Sequence, residues 1–294
     1  MPASHGRSAR VVLSAMALAA LGLFLTACGS SDPSPDPTTL VPVLESTDTA
    51  TGEVRLVLRL RERDGGDAVF PAGTTFNFRY LDSVDGGFRF RDQTPAQALS
   101  LGVETYYVAY ATFDREGLWA IEVVASPPQG EPRSSGRLQF AIDTAPDIVR
   151  PGDPAPRSPS SILAPAPREQ PSGDPSPDAS LYRTSVVSAL DQQRPFVVLF
   201  SNVDTCLNRG RCRRALDQIE RLAPQADLLA IHSQPFEIGP DGSRVRSDPD
   251  IFSEWRLGSD PWIFVVGADG LVHASFELVV TDDDLLAALE AVTK

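Results

Sequence analysis

Polar and apolar residues alternate along the first half of the chain. Val54, Leu56, Leu58 and Leu60 alternate with Arg55, Arg59 and Arg61, the period-two pattern of a strand with one buried and one wet face. Phe76, Phe78 and Tyr80 repeat it after the Pro71-Ala72-Gly73 turn. Residues 106–110 and 118–124 follow, joined through Asp114-Arg115-Glu116-Gly117, and residues 137–142 close the set. Short strands separated by turn signals predict an antiparallel β-sandwich over residues 39–144.

The pattern changes in residues 181–294. Tyr182, Val186 and Leu190 share one face of a predicted helix over 181–190. Phe196-Val197-Val198-Leu199-Phe200 is continuously apolar, the mark of a strand covered on both sides. A helix follows to about Leu222, with Leu216 and Ile219 inward and Pro224 as its stop. Residues 228–231 predict a strand, 250–255 a short helix, and 262–266 with 271–276 a hairpin around Gly267-Ala268-Asp269-Gly270. Thr281 caps a last helix whose first turn holds Asp282, Asp283 and Asp284.

Between these regions lie segments that cannot bury a core. Residues 28–38 carry Pro33, Pro35 and Pro37 among Ser and Asp and predict a tether. Residues 145–180 hold ten prolines and predict a linker; extended, roughly 30 such residues reach on the order of 100 Å. The expected fold class is therefore multidomain, an all-β immunoglobulin-like sandwich followed by an α/β region. Trp119 and the sandwich tyrosines offer either a binding face or core and rim aromatics, and the core reading is the plainer one.

The N-terminus sets the compartment. Arg7 and Arg10 precede an uncharged apolar stretch over 11–25, too short for a spanning helix of roughly 20 residues and suited to a signal peptide. Leu25-Thr26-Ala27-Cys28 resembles the bacterial lipobox. That resemblance implies cleavage after residue 27, acylation of Cys28 and a lipid-anchored protein on the extracytoplasmic face of the cell membrane. An ordinary cleaved signal with an incidental cysteine is the plainer alternative. The formal net charge of −13 disfavours nucleic acid as a partner. With Met1 and Met16 as the only methionines, thioether-rich copper handling is disfavoured too.

The remaining cysteines, Cys206 and Cys212, stand just after the buried-looking strand. In an oxidising compartment they read as a pair. Asn208-Arg209-Gly210 predicts a tight turn able to bring them together. Arg209, Arg211, Arg213 and Arg214 would lower a thiol pKa near a helix start, whereas Asp204 and Asp260 would raise it. A charge run is more simply a solvated face.

The order strand, cysteine loop, helix, strand, helix, Pro-led strand, hairpin, helix resembles a thioredoxin-like fold over residues 181–294. Residues 255–266 and the Asp269-Gly270 hairpin are similar to lipid-anchored bacterial proteins that join an N-terminal β-domain to a thioredoxin-like domain. Gly152-Asp153-Pro154-Ala155-Pro156 resembles the opening segment of peroxiredoxin-like and tethered thioredoxin-like proteins. The resemblance implies thiol–disulfide exchange with extracytoplasmic protein thiols or disulfides. Cys206 would attack, Cys212 would resolve, and Pro261 would stand beside them as the family's cis-proline. It implies no cofactor and no resident metal. Five residues separate the cysteines where the family has two, and Val203 stands where a peroxiredoxin has its Thr, which disfavours peroxidase chemistry.

Two other readings stay open. One is a non-catalytic scaffold, two rigid modules on a flexible stalk, with a structural disulfide whose seven-residue ring stabilises the fold by roughly 2.4 kcal/mol. The other is copper delivery, with His232 as a third ligand and His273 a weaker candidate, although a lone strand-end histidine is more often a hydrogen-bonded structural residue.

Overall fold

The computed structural model describes residues 40–159, 178–234, 236–238, 241, 243–246 and 249–294. Residues 1–27, the tether to 38 with Cys28, and residues 160–177 of the expected linker lie outside the described residues.

Eight strands build the sandwich: β1 (Leu40–Leu44), β2 (Gly52–Glu62), β3 (Thr75–Val84), β4 (Gly87–Leu101), β5 (Glu104–Phe113), β6 (Gly117–Ser126), β7 (Arg133–Ser134) and β8 (Leu138–Ile142). They run in the order β1-β2-β5-β4-β3-β6-β7, with β8 also on β6. Strand β4 turns the corner between the layers. Its Gly87 to Ala96 half pairs with β3, and Gln97 to Leu101 pair with β5. Parallel bridges from Leu40 to Ser135 and from Ala50 to Asp143 tie the first edge to the last. The result is a near-barrel sandwich, consistent with an immunoglobulin-like β-domain.

The alternating apolar residues point into one core. Leu56, Leu58, Phe78 and Ile121 are fully buried there, and Phe113 meets Trp119 edge to face at 5.0 Å. Trp119, Tyr80 and Tyr107 are core residues, so burial decides the aromatic question against an exposed binding face for these three.

The α/β region contains α1 (Val186–Asp191), β9 (Phe196–Phe200), α2 (Arg209–Leu222), β10 (Leu229–Ser233), β11 (Phe236–Ile238), β12 (Arg244–Arg246), α3 (Pro249–Trp255), β13 (Trp262–Val266), β14 (Val272–Glu277) and α4 (Asp282–Ala291). Its central sheet runs β10-β9-β13-β14, with β9 and β10 parallel and the other pairs antiparallel. Both faces are covered, which is why β9 and β13 are continuously apolar. Val197, Leu199 and Val265 pack with Leu216 and Leu285 from α2 and α4. Val198, Phe200 and Phe264 pack with Val186 and Trp255 from α1 and α3.

Thr281 caps α4 as expected, accepting from the Asp284 amide at 3.0 Å. The helix predicted over 181–190 divides instead. A 3-10 turn spans Ala179–Tyr182, and Ser185 then caps α1 by accepting from the Ser188 amide at 3.2 Å. The serine offers the orphan amides a side-chain acceptor, and the helix restarts there.

The linker does not begin freely at residue 145. Ile148, Val149 and Ala155 are buried in the core that holds α1 and α3. Gly152 donates to the Val272 carbonyl at 2.8 Å, Val272 to Asp153 at 2.9 Å, and Ala155 to Gly270 at 2.9 Å. A short proline-rich segment thus covers the open edge of β14, a role open to proline because edge strands tolerate a missing donor. The sandwich and the α/β region belong to one compact unit.

Candidate functional site

Strand β9 leads into the cysteine loop. The Asn202 carbonyl accepts from the Thr205 and Cys206 amides at 3.1 and 2.9 Å, folding the loop back. Asn208 then caps α2, its Oδ1 accepting from the Arg211 amide at 3.2 Å. Arg209 and Gly210 are therefore the first helical residues, and the tight turn expected at Asn208-Arg209-Gly210 is not formed. Asparagine signals both turns and helix starts, and here capping wins. Cys206 and Cys212 are joined by a disulfide with their Cα atoms 6.4 Å apart. Cys212 is fully buried, while Cys206 keeps 7% of its surface.

Asp260 sits against this pair, and Pro261 follows it in the chain. The peptide between them is cis. Asp260 is buried, with Oδ2 3.9 Å from Cys212 Sγ. Pro261 lines a small recess together with Arg211 and Ala215 of α2. Of the four arginines, Arg211 is buried and its guanidinium meets Glu45 of the sandwich at 3.2 Å; Arg214 lies 3.8 Å from Asp282. The run is thus not a uniformly solvated face.

His232 is not brought to the sulfurs. Its Nε2–H donates to the Ser201 carbonyl at 2.9 Å, which leaves Nδ1 to accept from the Tyr182 hydroxyl at 2.7 Å. With both ring nitrogens engaged, it is the hydrogen-bonded structural residue that a strand-end histidine more often is, and the copper-ligand alternative falls. His273 pairs with Asp269 at 3.2 Å on the surface. Burial pulls the His232 pKa down to about 4 from 6.5, against a smaller opposing effect of the Ser201 bond. The unfolded chain therefore takes up this proton first as pH falls. Stability from a neutral His232 is fully present above about pH 6.5 and is lost as pH drops towards about 4, by about 3 kcal/mol in all. Denaturation midpoints measured across that window should fall in the wild type and fall less in His232→Gln.

The sandwich face predicted to be wet is the docking face for the α/β region. Arg55 donates to the Glu277 carbonyl at 2.9 Å and to the Val279 carbonyl. Burial draws its guanidinium pKa down, and Tyr110 and Glu277 oppose that. Val57, Tyr106 and Val108 pack on Leu278 and Val279. The Glu277 carboxyl is buried and accepts from the Thr47 amide at 2.9 Å, the Thr47 hydroxyl at 2.7 Å and the Ser259 hydroxyl at 2.5 Å. Burial pushes its pKa up, and those bonds together with Arg55 hold it back.

The contact reaches the cysteine ring itself. Asn208 Nδ2 donates to Glu104 and lies 3.3 Å from the Tyr106 hydroxyl, while its Oδ1 caps α2. The guanidinium groups of Arg59 and Arg211 lie 5.8 and 5.6 Å from the centre of the Tyr106 ring. One sequence signal pointed here. Val57 breaks the run of arginines on the supposedly wet face of β2.

No protein-family model matches the chain, and no curated protein does. Among solved structures, FetP of uropathogenic Escherichia coli strain F11 is 11% identical with a TM-score of 0.26, over 36% of this chain and 88% of its own. The fibronectin type-III domain of human fibronectin type III domain containing protein 3 is 17% identical with a TM-score of 0.22, over 39% and 94%. Spo0M of Bacillus subtilis is 12% identical with a TM-score of 0.19, over 37% and 51%. Likeness this slight bears on no functional point. The described residues define a class by themselves: a β-sandwich docked on an α/β region that carries a disulfide at a strand-to-helix loop.

Proposed function

We propose that the chain is a membrane-anchored, extracytoplasmic thioredoxin-like protein that exchanges thiols and disulfides through Cys206 and Cys212. The observation that carries this reading is the position of the disulfide, between β9 and the start of α2, with Asp260 beside it and Cys206 as the outer sulfur. The mixed sheet between helical layers supports the thioredoxin-like assignment, and Cys28 supplies the anchor.

In the oxidising direction, a substrate thiolate attacks Cys206 Sγ. A mixed disulfide forms and Cys212 leaves as a thiolate that takes a proton. A second substrate thiolate then attacks the substrate sulfur, so the substrate leaves as a disulfide and Cys206 as a thiol. The reverse sequence reduces a partner disulfide. Asn208, held by Glu104 and Tyr106, makes the sandwich a cover over the ring, so attack on Cys206 requires that contact to loosen.

A second reading is favoured by the complete burial of Cys212: a structural bond in a scaffold lipoprotein. The reduction potential of the pair separates the two. An exchanging pair equilibrates with thiol buffers above about −300 mV, and a value below that assigns the bond to structure.

A further inference from the structure

We infer that the reduced protein holds a single zinc ion between Cys206, Cys212 and Asp260. This goes beyond thiol–disulfide exchange. The ligand atoms of these three buried residues all lie within 4.8 Å of one another, the one such group among the described residues.

Geometry supports it first. Zinc bonds of about 2.3 Å to sulfur and about 2.1 Å to a carboxylate oxygen, at tetrahedral angles, put sulfur and oxygen roughly 3.6 Å apart. Cys212 Sγ and Asp260 Oδ2 are 3.9 Å apart with the disulfide closed. The sulfurs, at 2.07 Å in the bond, would have to open to roughly 3.8 Å. Cys206 is on the loop before α2, whereas Cys212 is anchored within the helix, so the loop sulfur is the one to move.

Electrostatics supports it second. Two thiolates and a carboxylate gathered in a water-poor pocket repel one another and lose hydration. A divalent cation offsets most of that charge. A water completes four-coordination.

The two states exclude each other, because disulfide sulfurs are not thiolate ligands. A dithiol reductant gives two electrons and two protons to the bond and leaves as its own disulfide. Zinc then displaces the two thiol protons. Oxidation reverses the sequence and expels the ion.

The untagged full chain, reduced with a phosphine that is then removed, is titrated with zinc against a chromophoric chelator. One equivalent should bind to the reduced chain and none to the oxidised chain. Asp260→Asn should weaken binding at least tenfold, and Cys212→Ser should abolish stoichiometric binding. X-ray absorption at the zinc edge of the wild-type chain should show two sulfurs with oxygen or nitrogen neighbours, which keeps the test decisive if Asp260→Asn misfolds. No stoichiometric zinc in the reduced chain, an unchanged affinity in a folded Asp260→Asn, or fewer than two sulfurs would each overturn the site. Exchange is scored without metal, so either reading can fail alone.

Discussion

Cys212→Ser should stop turnover and accumulate covalent adducts on Cys206. The remaining sulfur still attacks partner disulfides, but no second thiolate releases the mixed disulfide. The variant also loses the seven-residue ring, roughly 2.4 kcal/mol in the loop-entropy model. It gains a buried hydroxyl whose burial costs about 1–2 kcal/mol if unpaired. Cys206→Ser is therefore the proper control, since it loses the same ring and has no outer sulfur to trap a partner. Adducts resolved on a non-reducing gel should form with Cys212→Ser and not with Cys206→Ser. Equal, empty lanes for both variants would leave the structural bond as the surviving reading.

Arg55→Ala should unfasten the sandwich from the α/β region. The substitution strips the Arg55 donor from the Val279 carbonyl and from the Glu277 carbonyl, which keeps the Val279 amide at 2.7 Å, and takes the nearby cation from the buried Glu277 carboxyl. A buried acceptor left without a donor costs about 1–3 kcal/mol, and the Glu277 carboxyl also loses its cation, so a loss of about 3 kcal/mol is expected. Denaturant unfolding should separate into two transitions, because each region keeps its own core. Reduction of the Cys206–Cys212 bond by a small dithiol should also accelerate about tenfold or more, since Asn208 would no longer be held by Glu104 and Tyr106. A reduction rate equal to that of the wild type would show that the sandwich does not gate the sulfurs.

Much of the fold was legible because burial repeats with the period of the backbone. The alternation in β2 and β3 and the unbroken apolar runs of β9 and β13 each name their own environment. Strand β4 escaped notice because it is exposed along most of its length as it turns the corner, so it carries no apolar alternation. The 3-10 turn before α1 escaped because Tyr182, Val186 and Leu190 fit one helical face whether or not the helix is continuous. Asn208 was ambiguous on chemical grounds, since the same side chain that favours a turn also caps a helix.

The candidate site was legible in part. The pairing of Cys206 with Cys212 followed from count and compartment, and Pro261 was placed beside them by resemblance. Asp260 was read as a charge that would disfavour a thiolate, and only the resemblance put it near the cysteines, because no local pattern carries its approach to Cys212. His232 as a metal ligand fell to Tyr182 and Ser201, partners that reach it only when β9 pairs with β10 and the 3-10 turn packs on β10.

The chain's own pattern determined where strands and helices run, which faces are greasy, and that two sulfurs stand six positions apart at a helix start, since all of these depend on neighbours within a few residues. Tertiary structure alone decided that the arginine face of β2 meets carbonyls of β14 and its following loop instead of water. It likewise decided that a carboxyl 48 positions away lies against Cys212. Such contacts join segments whose meeting is set by how whole layers pack, and no local rule of spacing or polarity encodes that.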